Sequence, residues 1–237
     1  MTMQKRSVAA SSEDRVYINS GNAALVDLLT DKPRVILDVG CGAGDNALLI
    51  KGRYPDSKIY GITRSHSEAA LAGMHMTACW VADLEQTLPP EVAERTYDTI
   101  IFSHVLEHLR DPAEVVSRAS AMLRPGGTCI IAVPNVLAWA QRVEFLMGRF
   151  EYETAGTMDE THIRFFTYDT ATVYLLAKSP ALKVVSVSVT GAMPLWILRR
   201  HVLPAAISAR LDELACRIWP NLFGSEVLIK AVKEGRS

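Results

Sequence analysis

The stretch Val35-Ile-Leu-Asp-Val-Gly-Cys-Gly-Ala-Gly44 constrains this chain more than any other ten residues. Val35, Ile36, Leu37 and Val39 form an apolar run that reads as a strand buried on both faces, as in a parallel sheet. The run carries one acid, Asp38, and then opens into glycines at 40, 42 and 44. Glycine lets the backbone turn sharply and come close to a ligand. The following stretch, Asn46–Arg53, can form a helix whose free N–H groups face that ligand. Strand, turn and helix together predict a nucleotide-type site at the carboxyl end of a sheet.

Size and composition narrow the classes of function. A chain of 237 residues can bury one substantial core, and 49% apolar with 22% charged residues is ordinary for a globular protein. Lys plus Arg is 25 and Asp plus Glu is 26, a formal net charge of −1, so no basic excess points to nucleic acid. Met1 to Asp14 is polar, without the apolar centre of a signal peptide, and no uninterrupted apolar run reaches the length of a membrane span. Cys41, Cys79, Cys129 and Cys216 contain no C-x-x-C pair, which fits reduced thiols in a cytoplasmic protein. Residues 1–14 are expected to be flexible and 15–237 to form a single domain.

Two cofactor patterns overlap in the glycine turn. Gly42-Ala-Gly44-Asp-Asn-Ala47 fits the dinucleotide form G-x-G-x-x-A. The pattern that begins earlier, Asp38-x-Gly40-x-Gly42-x-Gly44, resembles the first motif of the class I S-adenosylmethionine (SAM) methyltransferases. Three further stretches resemble that family in the expected order: Val81-Ala-Asp-Leu84 after a third strand, Tyr97-Asp-Thr-Ile-Ile-Phe-Ser-His104 running into Leu106-Glu-His108, and Leu123-Arg-Pro-Gly-Gly127 before a fifth strand. The resemblance covers residues 15–134 well and the rest loosely. It implies an α/β fold, a Rossmann-like three-layer sandwich with a seven-stranded, mostly parallel sheet. Residues 15–134 would hold the cofactor, and 135–237 would supply an acceptor lid, a helical insertion and the closing strands.

The resemblance also implies roles. Asp38, Gly40, Cys41, Gly42 and Gly44 would cradle the methionine part of SAM, and Asp83 with Leu84 would read the adenine. Tyr17, in a leading helix expected between Val16 and Leu29, is a candidate to close over the cofactor. The second strand, Ser57–Ile62, ends in Thr63 where an acid commonly holds the ribose, so Thr63 takes that role. Arg64 beside it suits a 2′-phosphate, which keeps an NADP-dependent reductase as the alternative reading. A non-catalytic SAM-binding protein is a third.

Ser103 and His104 should emerge at the carboxyl end of the fourth strand, beside the transferred methyl group. The sulfonium of SAM is already activated, so the protein mainly aligns the acceptor, with a base where an oxygen or nitrogen must lose its proton. Imidazole titrates near neutral pH. His104 is the first candidate for that base and His162, in Thr161-His-Ile-Arg-Phe-Phe-Thr167, the second; Arg164 could hold an anionic acceptor. His108 reads as structural. His104-Val-Leu-Glu-His108 also spells the zinc-peptidase form H-x-x-E-H. That motif needs both histidines on one helical face and a further carboxylate, and here it follows a buried strand, so no metal ion is expected. Helices are expected over Ser65–Ala72, from Asp111-Pro112 onward, over Val136–Met147 and from Thr167 to Lys178, with a loop or lid over Gly148–Glu160. An alternating strand, Val184–Thr190, and a last strand, Phe223–Lys233, would close the sheet. Between them the insertion around Leu195–Trp219 reads as an active-site cap or homodimer face rather than a membrane-surface element. The reaction expected is methyl transfer from SAM, leaving S-adenosylhomocysteine (SAH), to an oxygen, less readily a nitrogen, of a small molecule or sugar.

Overall fold

The computed structural model describes residues 16, 20–29, 32–194, 199 and 201–235. Seven strands form one sheet: β1 (Val35–Val39), β2 (Lys58–Thr63), β3 (Ala78–Val81), β4 (Tyr97–Ser103), β5 (Leu123–Pro134), β6 (Leu182–Gly191) and β7 (Gly224–Lys233). Their order is β3-β2-β1-β4-β5-β7-β6; β7 alone runs antiparallel to β5 and pairs antiparallel with β6. The helices before and between the strands are α1 (Ala23–Asp27), α2 (Asp45–Arg53), α3 (His66–Ala72), α4 (Pro90–Ala93), α5 (Pro112–Ala121), α6 (Trp139–Leu146), α7 (Tyr168–Leu175), α8 (Ala205–Ile218) and α9 (Pro220–Phe223). This is the Rossmann-like sandwich expected.

Unbroken apolar strands follow from burial on both sheet faces. Leu37, Val39, Ile100, Phe102 and Ile131 point to one face, where Val115, Val116 and Ala119 of α5 and Leu175 of α7 cover them. Ile36, Ile101 and Ile130 point to the other, under Leu25 and Val26 of α1 and Ala47 and Ile50 of α2. Successive strand residues alternate faces, so one sequence run feeds two cores. The Tyr-Asp pair that opens β4 has a structural task of its own. Asp98 accepts hydrogen bonds from the Arg34 and Val35 backbone N–H groups, both at 2.9 Å, and pairs with Arg124, which ties the starts of β1, β4 and β5 together.

Caps fall where the sequence placed them for three helices. Ser65 accepts from Glu68 N, Asp111 from Glu114 N with Pro112 in the first turn, and Thr167 forms a reciprocal box with Thr170. Four expectations change. The leading helix is only α1, because Gly21 has φ of 71° and Asn22 caps a helix that begins at Ala23. Tyr17 lies outside the described residues. The Leu-Arg-Pro-Gly-Gly stretch does not precede β5 but opens it, and α5 already ends at Ala121. Leu123 already pairs with Tyr97, and residues 124–127 are an excursion before pairing resumes at Thr128 opposite Thr99. Helix α6 starts three residues late, since Asn135 bridges to Phe166 and its side chain accepts from Leu137 N. In β6 a register shift between Val184 and Ser186 leaves Val185 60% exposed, while Val187 and Val189 pack on the core as the alternation predicts.

Candidate active site

The carboxyl ends of β1, β2 and β4 meet at the glycine turn. Gly40 N and Cys41 N both donate to Ile62 O, at 2.8 and 2.9 Å, so the turn folds across the end of β2. Gly40 and Gly44 have φ of 76° and 88°, a region that side chains with a Cβ rarely adopt. A Cβ on Gly40 would lie 2.4 Å from Val105, and one on Gly44 3.0 Å from the Ala72 backbone. The first contact brings the turn after β4 directly against the cradle. The second seats α3 beside it.

Asp38 is fully buried at the base of this cradle. Its Oδ2 accepts from Asn46 Nδ2 at 3.4 Å, while its Oδ1 is buried without a hydrogen-bond partner. Burial outweighs the Asn46 bond and raises its pKa from 3.8 to about 7. A buried carboxylate with one oxygen unpaired is costly until a donor or cation arrives. Cys41 is buried with its Sγ 3.6 Å from Cys79 Sγ on β3; that contact and burial push its thiol pKa up. At the end of β2, Thr63 Oγ1 donates to Glu68 Oε2 at 2.5 Å, both residues being buried. Asp83 is exposed and accepts from Glu85 N, an Asx turn, while Leu84 is buried; Arg118 of α5 donates to the Leu84 and Gln86 carbonyls and fixes this loop. Arg64 is exposed.

His104 follows Ser103 and has φ of 53°, one of two non-glycine residues with positive φ among the described residues. Its backbone N–H donates to Ala132 O on β5. The imidazole stands between two carboxylates: Nε2 lies 2.6 Å from Glu226 Oε1 and Nδ1 3.3 Å from Glu107 Oε1. Burial pushes the His104 pKa down, but Glu107 and Glu226 outweigh it and raise it from 6.5 to about 10. Glu226 also accepts from Asn22 Nδ2 at 2.5 Å and Thr190 Oγ1 at 2.8 Å. Asn22 N in turn donates to Asn46 Oδ1 at 2.9 Å. A chain of polar contacts therefore runs from Asp38 through Asn46, Asn22 and Glu226 to His104.

His162 is buried, with Nδ1 3.0 Å from Thr157 O and Nε2 3.8 Å from Glu107 Oε1. Arg164 bonds the Arg110 carbonyl and lies over the Tyr174 ring. The sequence reading thus missed Asn22, Asn46, Glu68 and Glu226. An acid directly before the apolar run Val227-Leu-Ile229 of β7 was the one available signal for Glu226. Sequence could not show that His104 would be its partner.

A family model described as a methyltransferase domain matches residues 15–176. Among curated proteins, the trans-aconitate 2-methyltransferase of Methylobacterium radiotolerans is 34% identical over 110 residues, 46% of this chain and 41% of that protein. The ubiquinone biosynthesis O-methyltransferase of Bradyrhizobium diazoefficiens is 30% identical over 145 residues, 60% of this chain and 56% of that protein. The chain thus spans about half the length of these relatives. Among solved structures, a SAM-dependent methyltransferase from Archaeoglobus fulgidus superposes with a TM-score of 0.56 at 17% identity, covering 84% of this chain and 86% of that one. The cyclase SpnF superposes at 0.58 with 16% identity, covering 90% and 81%. One partner is a cyclase, so these superpositions establish the fold and the family match carries the classification. With the glycine cradle, its buried acid and the seven-stranded sheet in place, the chain belongs to the class I SAM-dependent methyltransferases.

Proposed function

We propose that this chain transfers the methyl group of SAM to an oxygen, less readily a nitrogen, of a small molecule or sugar, with His104 as the base. The observation that carries the reading is the His104 imidazole held between Glu107 and Glu226, at the end of β4 and next to the residue that packs on Gly40. The residues fit the cofactor. The unpaired Asp38 Oδ1 offers an acceptor for the methionine ammonium, and the cradle is closed to any side chain that would fill it. Thr63, with Glu68 behind it, serves the ribose, and Asp83 and Leu84 the adenine. Ser103 lines the approach beside the methyl group. When bound, SAM supplies a methyl group already activated on sulfonium, so alignment contributes most of the rate.

His104 between two carboxylates is an imidazolium at neutral pH and cannot take a proton. An acceptor hydroxyl arriving at Nε2 displaces Glu226, while Glu107 stays on Nδ1. Loss of one carboxylate lowers the imidazolium pKa toward the neutral range, so that Nε2 gives its proton to the departing Glu226 carboxylate, which passes it to solvent; the neutral Nε2 then accepts the hydroxyl proton. Its side chain keeps 45% of its surface exposed, so the imidazole is open to solvent. The named relatives act on trans-aconitate and in ubiquinone biosynthesis, which supports oxygen acceptors. Labelled SAM with a panel of sugars, phenols and carboxylic acids should give an oxygen-linked methyl product. His104→Ala should lower turnover about 10²- to 10⁴-fold while SAH affinity stays within about threefold. Equal turnover in the variant would remove the base.

A further inference from the structure

We propose that Glu107, His108 and His162 form a divalent-cation site of the zinc type, joining the turn after β4 to the 157–163 loop. One ligand atom from each residue falls within a cluster no more than 4.8 Å across, the one such group among the described residues. Both carboxylate oxygens of Glu107 are buried without a hydrogen-bond partner. The 3.3 Å contact to His104 is an ion-pair approach rather than an aligned hydrogen bond, and His162 Nε2 stands farther off at 3.8 Å. The His104 imidazolium offsets the charge of Glu107 from one side, but neither oxygen has an aligned donor, and a fully buried carboxylate left so favours a cation at its other face.

The two imidazoles are prepared as ligands. Metal-binding histidines direct their other ring nitrogen to a carbonyl, hydroxyl or carboxylate, which fixes the tautomer and leaves a lone pair for the metal. His162 Nδ1 lies 3.0 Å from Thr157 O, which turns Nε2 toward Glu107. His108 Nδ1 lies 3.0 Å from Thr161 Oγ1 and 3.2 Å from Thr161 O. The Thr161 hydroxyl in turn donates to Asp159 Oδ1 at 2.6 Å. A buried aspartate, a hydroxyl and an imidazole in series leave His108 Nε2 as its ligand atom. The rings stand edge to face with centroids 4.7 Å apart. Two imidazoles and a carboxylate with open positions suit zinc, and tetrahedral bonds would draw the ligand atoms to about 3.4 Å of one another.

The H-x-x-E-H reading fails in a specific way. His104 is turned away by its positive φ onto Glu226, and Leu106–His108 is a single 3-10 turn, so His104 and His108 never share a helical face. The third ligand comes instead from a loop 54 residues after His108. Bound metal would pin that loop, whose backbone already reaches Glu107 O through Ile163 N and Arg164 N, both at 3.0 Å. The site shares Glu107 with the His104 pair, yet metal binding itself does not require methyl transfer.

The test uses the full chain stripped with a chelator and titrated with Zn²⁺ against a chromophoric competitor, then with Co²⁺ for its absorption spectrum. One equivalent should bind at micromolar Kd or tighter, with a cobalt spectrum lacking any sulfur charge-transfer band. His162→Ala and the milder His108→Gln should each weaken binding about 100-fold or more, with SAH affinity as the check on folding. Cys79→Ser should leave zinc affinity unchanged. No stoichiometric uptake by the parent, equal uptake by folded variants, or a sulfur-to-cobalt band would each overturn the site.

Discussion

The cofactor cradle and the acceptor side lie next to each other and are built by opposite means. The cradle is backbone: ten consecutive residues, three left-handed glycines, and two N–H groups on one carbonyl of β2. The acceptor side is made of side chains drawn from distant segments, with His104 and Glu226 separated by 122 residues. The first is set by what a chain without Cβ atoms can do. The second exists only when β7 has paired with β5. The glycine turn should therefore fail through geometry, and the acceptor side, like Asp38 at the base of the cradle, through charge.

The largest effect is expected at Gly40. Gly40→Ala places a Cβ against Val105 in a left-handed conformation, costing about 2–5 kcal/mol from backbone strain and overpacking. Thermal unfolding and SAH titration should both fall. Adding Val105→Ala removes the methyl at 2.4 Å but keeps the Val105 Cβ at 2.7 Å, so it should recover only part of the packing loss, and the φ of 76° remains. Full recovery by the double variant would show that only the clash mattered.

On the acceptor side the expected effect depends on pH. The folded pKa of His104, about 10, lies above its ordinary 6.5, so the imidazolium adds stability that is fully present below pH 6.5 and is lost as pH rises through about 10. Glu226→Gln removes one of the two carboxylates and leaves Asn22 and Thr190 beside a neutral amide. The variant should melt below the parent at pH 7, and the gap should narrow as pH approaches 10. A gap constant with pH would mean that Glu226 acts through packing alone.

The smallest effect is expected on the outer helix α6, with a buried residue of the inner sheet as its reference. Leu146 on α6 is 88% exposed, whereas Ile101 in β4 is fully buried. Leu146→Gln should change stability by no more than about 0.5 kcal/mol. Ile101→Ala should cost about 2–5 kcal/mol. Comparable losses would mean that α6 is covered in solution.

The same contrast explains what could be read from sequence. Asp38-x-Gly-x-Gly-x-Gly carries its geometry in local spacing, so strand, turn and helix were legible to within a residue or two. The acid expected at the end of β2 was legible only as missing, because Glu68 reaches Thr63 from the first turn of α3. Glu226 and Asn22 were invisible as partners, since pairing of β7 with β5 brings Glu226 to His104 and the N-cap of α1 brings Asn22 to Glu226. The helix expected over Val136–Met147 carries apolar Val143, Leu146 and Met147, yet all three are exposed. Composition alone does not say which face a helix covers.

The most direct test is SAM and SAH titration calorimetry on the parent and Asp38→Asn, at pH 6 and pH 8. The buried carboxylate with a pKa of about 7 must be charged to meet the methionine ammonium. The parent should bind both ligands one to one, more weakly at pH 6, by up to about tenfold per unit below its pKa. Asp38→Asn should bind far more weakly, without that pH dependence. A folded parent that binds neither ligand, or a variant that binds as tightly as the parent at both pH values, would contradict the cradle's role.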